Sequence, residues 1–329
     1  MTAIKNLHGS LLLDTKGDNL LYADLSDKNL AQADLTNTVL FNANLSGCNL
    51  TSADLRGSNL GSSIMENAIL NKATLKGAKV ENANFKGVTA NEANLSNLFA
   101  AQSNWSGATL VKCDLAKSDF SRTDMQNTSL QDCVMDEIKI PHANFSGAKL
   151  VKAKLFKVQG QSAIFIGADL DKADMEHAQF SWADFSQASL KNTVLRQAKF
   201  VSAILTEAIL TGANMNQCLM EGSNLSKANL EEVSLFQANL TRANLRGASL
   251  AKANLSGTIL SLSQLEGVNL SKADLQGAQM RGARYNDDTV FPQNFNPEAN
   301  GLIYSPKSVE DLLPSEEETQ EDPAVSTSE

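Results

Sequence analysis

No stretch of about eighteen apolar residues occurs in this 329-residue chain, so no membrane-spanning helix is expected. The longest apolar opening, Leu11-Leu12-Leu13, stops at Asp14 and is too short for the hydrophobic region of a secretory leader. A cytoplasmic location is therefore expected. Cysteine, histidine and proline are scarce, at four, three and six residues, and aromatics make up only 5%. There is no Gly-x-Gly-x-x-Gly, no Walker-type loop and no nucleophile elbow, which removes the common nucleotide-binding and hydrolase motifs. What is present suffices for a real core. Apolar residues are 42% of a length that holds one or two domains, so disorder is not the default.

Charge is unevenly placed. Residues 286–329 carry eleven carboxylates against the single base Lys307, a net of −10, so the remainder of a chain of net −9 stands at +1. The body is balanced and the end is acidic.

A period of five organises the chain. Every fifth residue from Leu20 is apolar and usually large (Leu25, Leu30, Leu35 and onward to Leu275, Met280 and Tyr285), through 54 pentads without an insertion. Two places before each centre, 31 of 53 positions are Ala, and one place before it 26 of 54 are Asn or Asp. Neither the 3.6-residue period of a helix nor the period of two of a strand fits. One small and one large inward side chain per five residues fits one side of a square coil. Four sides make twenty residues, and successive coils stack as parallel strands with backbone hydrogen bonds from coil to coil. Of the 19 glycines, twelve fall at positions ending in 7, joined by Asn37, Asn67, Asn97 and Asn127, while positions ending in 2 hold few of either residue. Because Gly and Asn tolerate positive φ, two opposite corners are expected to be left-handed and the other two not. Ala90 after Val88, Ala100 after Leu98 and Gly160 after Val158 pair a shrunken centre with an enlarged neighbour, as native packing density requires.

These pentads, as in Ala33-Asp34-Leu35 and Ala43-Asn44-Leu45, resemble the Ala-(Asp/Asn)-Leu-x-x consensus of the pentapeptide-repeat family over roughly 20–285. The ending from Tyr285 through Phe291-Pro292 to Phe295-Asn296-Pro297 is similar to a closing segment of cyanobacterial members. The resemblance implies an all-β fold, a right-handed quadrilateral parallel β-helix of about 13 coils, roughly 65 Å long at about 4.8 Å per coil. The expected division is an N-terminal cap at 1–18, the β-helix at 19–285, a C-terminal cap at 286–304 and a disordered acidic tail at 305–329.

Each candidate for chemistry has a plainer alternative. Cys48, Cys113, Cys133 and Cys218 all occupy the small inward position, so they read as core residues in place of Ala, although Cys113 and Cys133, twenty apart, stack. His142 and His177 have no carboxylate or thiolate as stack-neighbour, so no metal site and no catalytic pair is expected. Asp and Asn before each centre read as turn-bonding groups. The column Lys72, Glu92, Lys112, Asp132, Lys152, Lys172 mixes signs and reads as cross-strand pairs, so nucleic acid is not an expected partner.

One side is more apolar outward than solvent requires, with Leu21, Tyr22, Val39, Phe41, Phe99, Trp182, Val201, Leu219, Ile259 and Leu262. Tyr22 with Phe41 and Trp182 with Val201 are expected to be neighbours; docking and ordinary surface packing both remain open. In the tail, Leu312 and Leu313 lie in Val309-Glu310-Asp311-Leu312-Leu313-Pro314, a segment that folds on a partner or only solubilises. The candidate partner-binding residues are thus Tyr22, Phe41, Phe99, Trp182, Val201, Leu219, Leu312 and Leu313.

The reading is a non-catalytic scaffold or regulator that binds an unidentified protein, with no cofactor, no metal, no small-molecule substrate and no membrane. The alternative implied by the family is a DNA mimic that binds DNA gyrase. It requires an acidic rod, and the near-neutral body disfavours it. A lumenal or stress role without specific binding is a third reading. The family also implies a homodimer through the C-terminal cap, where Phe291, Phe295, Ile303 and Tyr304 stand.

Overall fold

The computed structural model describes residues 2–15 and 20–306. Parallel bridges join each outward strand residue to the one twenty further on. Asp24↔Asn44, Asn29↔Asn49, Asp34↔Asp54 and Val39↔Asn59 start four columns, and the spacing holds to Gln264↔Arg284. The coil is therefore four-sided with twenty residues. Leu25 N–H donates to Asn44 O at 2.8 Å and Asn44 N–H to Ala23 O at 2.9 Å, and this alternation repeats along the ladder.

Corners close through a turn in which the small residue's N–H donates to the preceding centre's carbonyl, as Ala43 does to Leu40 at 3.0 Å. The third turn residue has positive φ, as a type II turn requires. The corners correct the expectation from glycine placement. Tyr22 at +57°, Lys72 at +59°, Trp182 at +59° and Leu262 at +61° are as left-handed as Gly47 at +65°. Four equal sides close only if all four corners turn alike, and the stacked ladder holds non-glycine residues there against a cost of about 1 kcal/mol each. Part of the glycine bias has another cause. A Cβ on Gly57 would stand 2.5 Å from Asn37 Oδ1, and one on Gly147 would stand 2.5 Å from Asn127 Oδ1. At those positions the Asn of one coil fills the space that a side chain would take on the next.

The Asn and Asp residues before each centre accept the N–H two residues on: Thr36 to Asp34 Oδ1 at 3.1 Å, Ser106 to Asn104 Oδ1 at 2.9 Å. Such Asx bonds supply an acceptor where the corner leaves the ladder. Asp54 additionally takes Arg56 Nε at 2.9 Å, and this hydrogen bond holds its carboxyl below the usual carboxylate range.

Inside, the large centres are buried in stacked layers. One core column is aromatic: Phe85 stacks on Trp105 at 4.0 Å, and Phe165 stacks on Phe145 at 5.0 Å and on Phe185 at 4.7 Å. Trp105 Nε1 donates to Ser103 Oγ at 2.8 Å, so its one polar atom is satisfied. Compensation also crosses coils. Beside Gly160 the space is taken by Phe180 of the next coil, whose Cε1 would lie 2.6 Å from an added Cβ. Leu98 N–H is accepted by Ser118 Oγ at 2.9 Å, whose own hydroxyl donates to Leu95 O at 2.7 Å.

At the start, β1 (Thr2–Lys5) and β2 (Leu11–Thr15) form an antiparallel hairpin. Ile4 is buried, Asn6 bridges Ala33, and Asp34 N–H donates to Lys5 O at 2.9 Å, so the hairpin lies on the first coil's open edge. At the end, β3 (Arg284–Tyr285) pairs in parallel with β4 (Ile303–Tyr304), and Asn269↔Val290 spans one residue more than the repeat. Tyr285 meets Phe291 edge-on at 5.5 Å and Phe291 stacks on Phe295 at 5.0 Å, against the last coil. No helix among the described residues is long and apolar enough to cross a membrane.

Candidate interaction surface

Tyr22, Phe99, Trp182 and Leu219 are exposed, at 66%, 49%, 63% and 39%. Phe41 and Val201 are half-buried. Tyr22 and Trp182 stand at left-handed corner positions, outside the core. The backbone brings two pairs together: Tyr22 N–H donates to Phe41 O at 3.1 Å and Trp182 N–H to Val201 O at 3.0 Å. Phe99 stands apart from both pairs, between Lys79 and Asp119 in its column, and Leu219 lies between Lys199 and Asn239. The apolar residues of this side therefore form separate spots along the rod. Leu312 and Leu313 lie outside the described residues.

Reading a single side also passed over Ile164 and Ile204, which follow Asn144 and Asp184 in a neighbouring column; Ile204 is 40% exposed. Isoleucine at the Asn/Asp position was the available signal. In the lysine column Lys72 pairs with Glu92 at 3.9 Å, and further along the same column, which runs on through Glu232 and Lys252 to Lys272, Lys252 pairs with Glu232 at 2.8 Å. The histidine reading considered only stack-neighbours, but Glu176 beside His177 in the chain places Oε1 3.7 Å from its Nε2 and also meets Arg196 at 3.5 Å. Phe156 meets the His177 ring edge-on at 5.6 Å.

All four cysteines are buried free thiols, each donating to a carbonyl of the adjacent coil, as Cys113 does to Ala90 O at 2.7 Å and Cys133 to Leu110 O at 2.8 Å. Burial pushes the Cys218 thiol up to about 12 and raises Cys48. The Cys133 thiol is raised by the neighbouring Cys113 thiol and then by burial. Among the described residues no cluster of three or more His, Cys, Asp or Glu could hold a metal ion. The native thiols are expected to react with a maleimide at pH 8 at least roughly a hundredfold more slowly than in denaturant, because the thiolate is the nucleophile. Rapid modification of any cysteine in the folded protein would show a core open to solvent.

Eight copies of the family model described as pentapeptide repeats match the chain, at 19–57, 48–87, 91–127, 118–156, 142–177, 178–217, 213–250 and 248–284. The chain belongs to the pentapeptide-repeat family, whose members are β-helical and in general non-catalytic. Among solved structures it is similar to alr5209, a pentapeptide repeat protein from Nostoc PCC 7120, at 35% identity over 31% of this chain and 84% of that one, with a TM-score of 0.31. It is also similar to HetL, a pentapeptide repeat protein involved in heterocyst differentiation regulation from the cyanobacterium Nostoc sp. strain PCC 7120. That match has 26% identity over 68% of this chain and 92% of HetL, with a TM-score of 0.24. QnrB1, a plasmid-mediated fluoroquinolone resistance protein, matches at 16% identity over 72% of this chain and 87% of its own, with a TM-score of 0.30. No curated protein matches the chain.

Proposed function

We propose that this protein is a cytoplasmic scaffold or regulator that binds another protein on the outside of a rigid rod. The reading takes the rod as a right-handed β-helix of about thirteen coils, with caps at 1–18 and 286–304 and an acidic tail from 305. One observation supports it above others: large aromatic side chains stand in solvent at corners where the fold has no need of them. Tyr22 and Trp182 are each about two-thirds exposed, while every neighbouring centre is buried. Replacing Ser, Lys or Gln at such a corner by Trp adds apolar area in water without adding to the core, which is the pattern of a partner contact. The scattered arrangement suits an elongated partner that touches several coils. Pairing of two copies through Phe291, Phe295, Ile303 and Tyr304 is part of the same proposal, and light scattering on variants of these residues tests it. The gyrase-mimic reading receives less support, because the body lacks the acidic column that phosphate mimicry needs.

The test is affinity capture with the native chain and with the Tyr22→Ser/Phe41→Ser/Trp182→Ser/Val201→Ser variant. The proposal expects at least one specifically bound protein to be lost while the melting temperature of the variant changes little, since Tyr22 and Trp182 are exposed. Unchanged capture of every partner would sink it. Inhibition of supercoiling by DNA gyrase at a modest excess of the chain would instead favour the mimic.

A further inference from the structure

A second feature on the rod is electrostatic and concave. A groove of about 490 Å³ lies on the same side as Phe99 and Leu219, in the column between them and along its adjoining corner, lined by Lys139, Lys157, Gln159, His177, Gln179 and Lys199 among others. Lys139, Gln159, Gln179 and Lys199 are successive members of one bridged column. Three coil spacings of about 4.8 Å separate its two end lysines, about 14 Å in all. The one carboxylate in the lining, Glu137, and those beside the groove are already engaged. Glu137 pairs with Lys117 at 3.9 Å, Glu176 with Arg196 at 3.5 Å, and Asp119 Oδ1 accepts Ser121 N–H at 3.0 Å. Lys139, Lys157 and Lys199 have no ion-pair partner among the described residues, and Lys157 Nζ rests 5.0 Å from the Phe156 ring centroid.

We infer that this groove binds an extended acidic peptide segment of a protein partner, which rests on the reading of the rod as a protein-binding surface and names the chemistry of one contact. The two end lysines project from strand positions about 14 Å apart, a spacing that suits an extended ligand rather than one small anion. They match carboxylates four residues apart on one face of an extended chain, about 13 Å at 3.3 Å per residue. Between them the glutamine amides both donate and accept, which suits a peptide backbone lying along the groove. A nucleic acid strand fits less well. No arginine lines the groove, and the nearby Phe156 already meets His177 and Lys157, so no free aromatic face offers a stacking platform.

The test uses the full chain and fluorescence anisotropy at low ionic strength. The probe is a labelled eight-residue peptide of alternating Glu and Ser, with the Gln-Ser counterpart and an eight-nucleotide oligothymidylate alongside. The Glu peptide is expected to bind, the Gln peptide not, and Lys157→Glu/Lys199→Glu to weaken binding about tenfold, with two attractions replaced by two repulsions. Lys79→Glu, in the same column but outside the groove, is expected to change it less than about twofold, since screening limits distant charges. All three lysines are exposed, so circular dichroism should report an unchanged fold. No binding of the Glu peptide, equal weakening by Lys79→Glu, or tighter binding of the oligothymidylate would overturn the inference. Should the peptide fail while the aromatic variant still loses its partner, only the groove is removed. Should the peptide bind while that variant keeps every partner, the aromatic surface is removed and the groove stands.

Discussion

Phe165→Ala is expected to lower stability by about 3–5 kcal/mol, the range for truncating a buried aromatic ring. Phe165 is fully buried, stacks between Phe145 and Phe185 at 5.0 and 4.7 Å, and meets Phe180 edge-on at 5.6 Å. Three rings thus lose a partner at once, and the ladder of backbone bonds on every side keeps the coil from collapsing into the void. Stability in a solenoid is a sum of units and nearest-neighbour terms, so the loss should be concentrated in the coils next to the vacancy. Denaturant titration would show a lower midpoint, and hydrogen exchange would show faster opening around 145–185 than near either end. Phe165→Leu restores the commonest residue of the repeat and should cost far less, about 1 kcal/mol. A loss below about 1 kcal/mol for the alanine variant would mean that the aromatic column is not packed as described.

The second large effect runs against the repeat's own consensus. Gly160→Leu puts the usual residue at a centre position, yet it is expected to destabilise the protein by about 1–3 kcal/mol through overpacking. An added Cβ alone would stand 2.6 Å from Phe180 Cε1 and 3.4 Å from Ile140 Cγ1. The remainder of a leucine has nowhere to go, because Val158 in the same coil is already enlarged and buried. Combining Gly160→Leu with Phe180→Leu should recover most of the loss, since the two positions share one volume. A consensus leucine that raises the melting temperature by itself would contradict this packing.

These two sites mark what was and was not legible beforehand. The unbroken period from Leu20 to Tyr285 exposes the side length, the inward positions and the all-β class, because a core of stacked layers tolerates no slip. Pairing of Val158 with Gly160 was visible along the chain, but the intrusion of Phe180 was not, since it comes from twenty residues away and depends on ring orientation. The same holds for the column through Phe145, Phe165 and Phe185. Glycine composition does not report corner conformation: at Gly57 and Gly147 a neighbouring Asn excludes a side chain, at Gly77 and Gly107 nothing does, and Trp182 and Leu262 adopt the same positive φ. The hairpin over Thr2–Lys5 and Leu11–Thr15 lies outside the repeat and carries no periodic signal. The groove escaped notice because its lining alternates between two columns, 117–197 and 139–199, neither of which is uniformly basic when read separately.

The proposed role rests on recognition by the rod's outer surface, and affinity capture comparing the full chain with one ending at Pro306 tests this most directly. The account predicts that both forms retain the same partner and that the Tyr22, Phe41, Trp182 and Val201 substitutions remove it from both. Loss of the partner with residues 307–329 alone would contradict it, moving recognition to the segment around Leu312 and Leu313 and leaving the rod as its support.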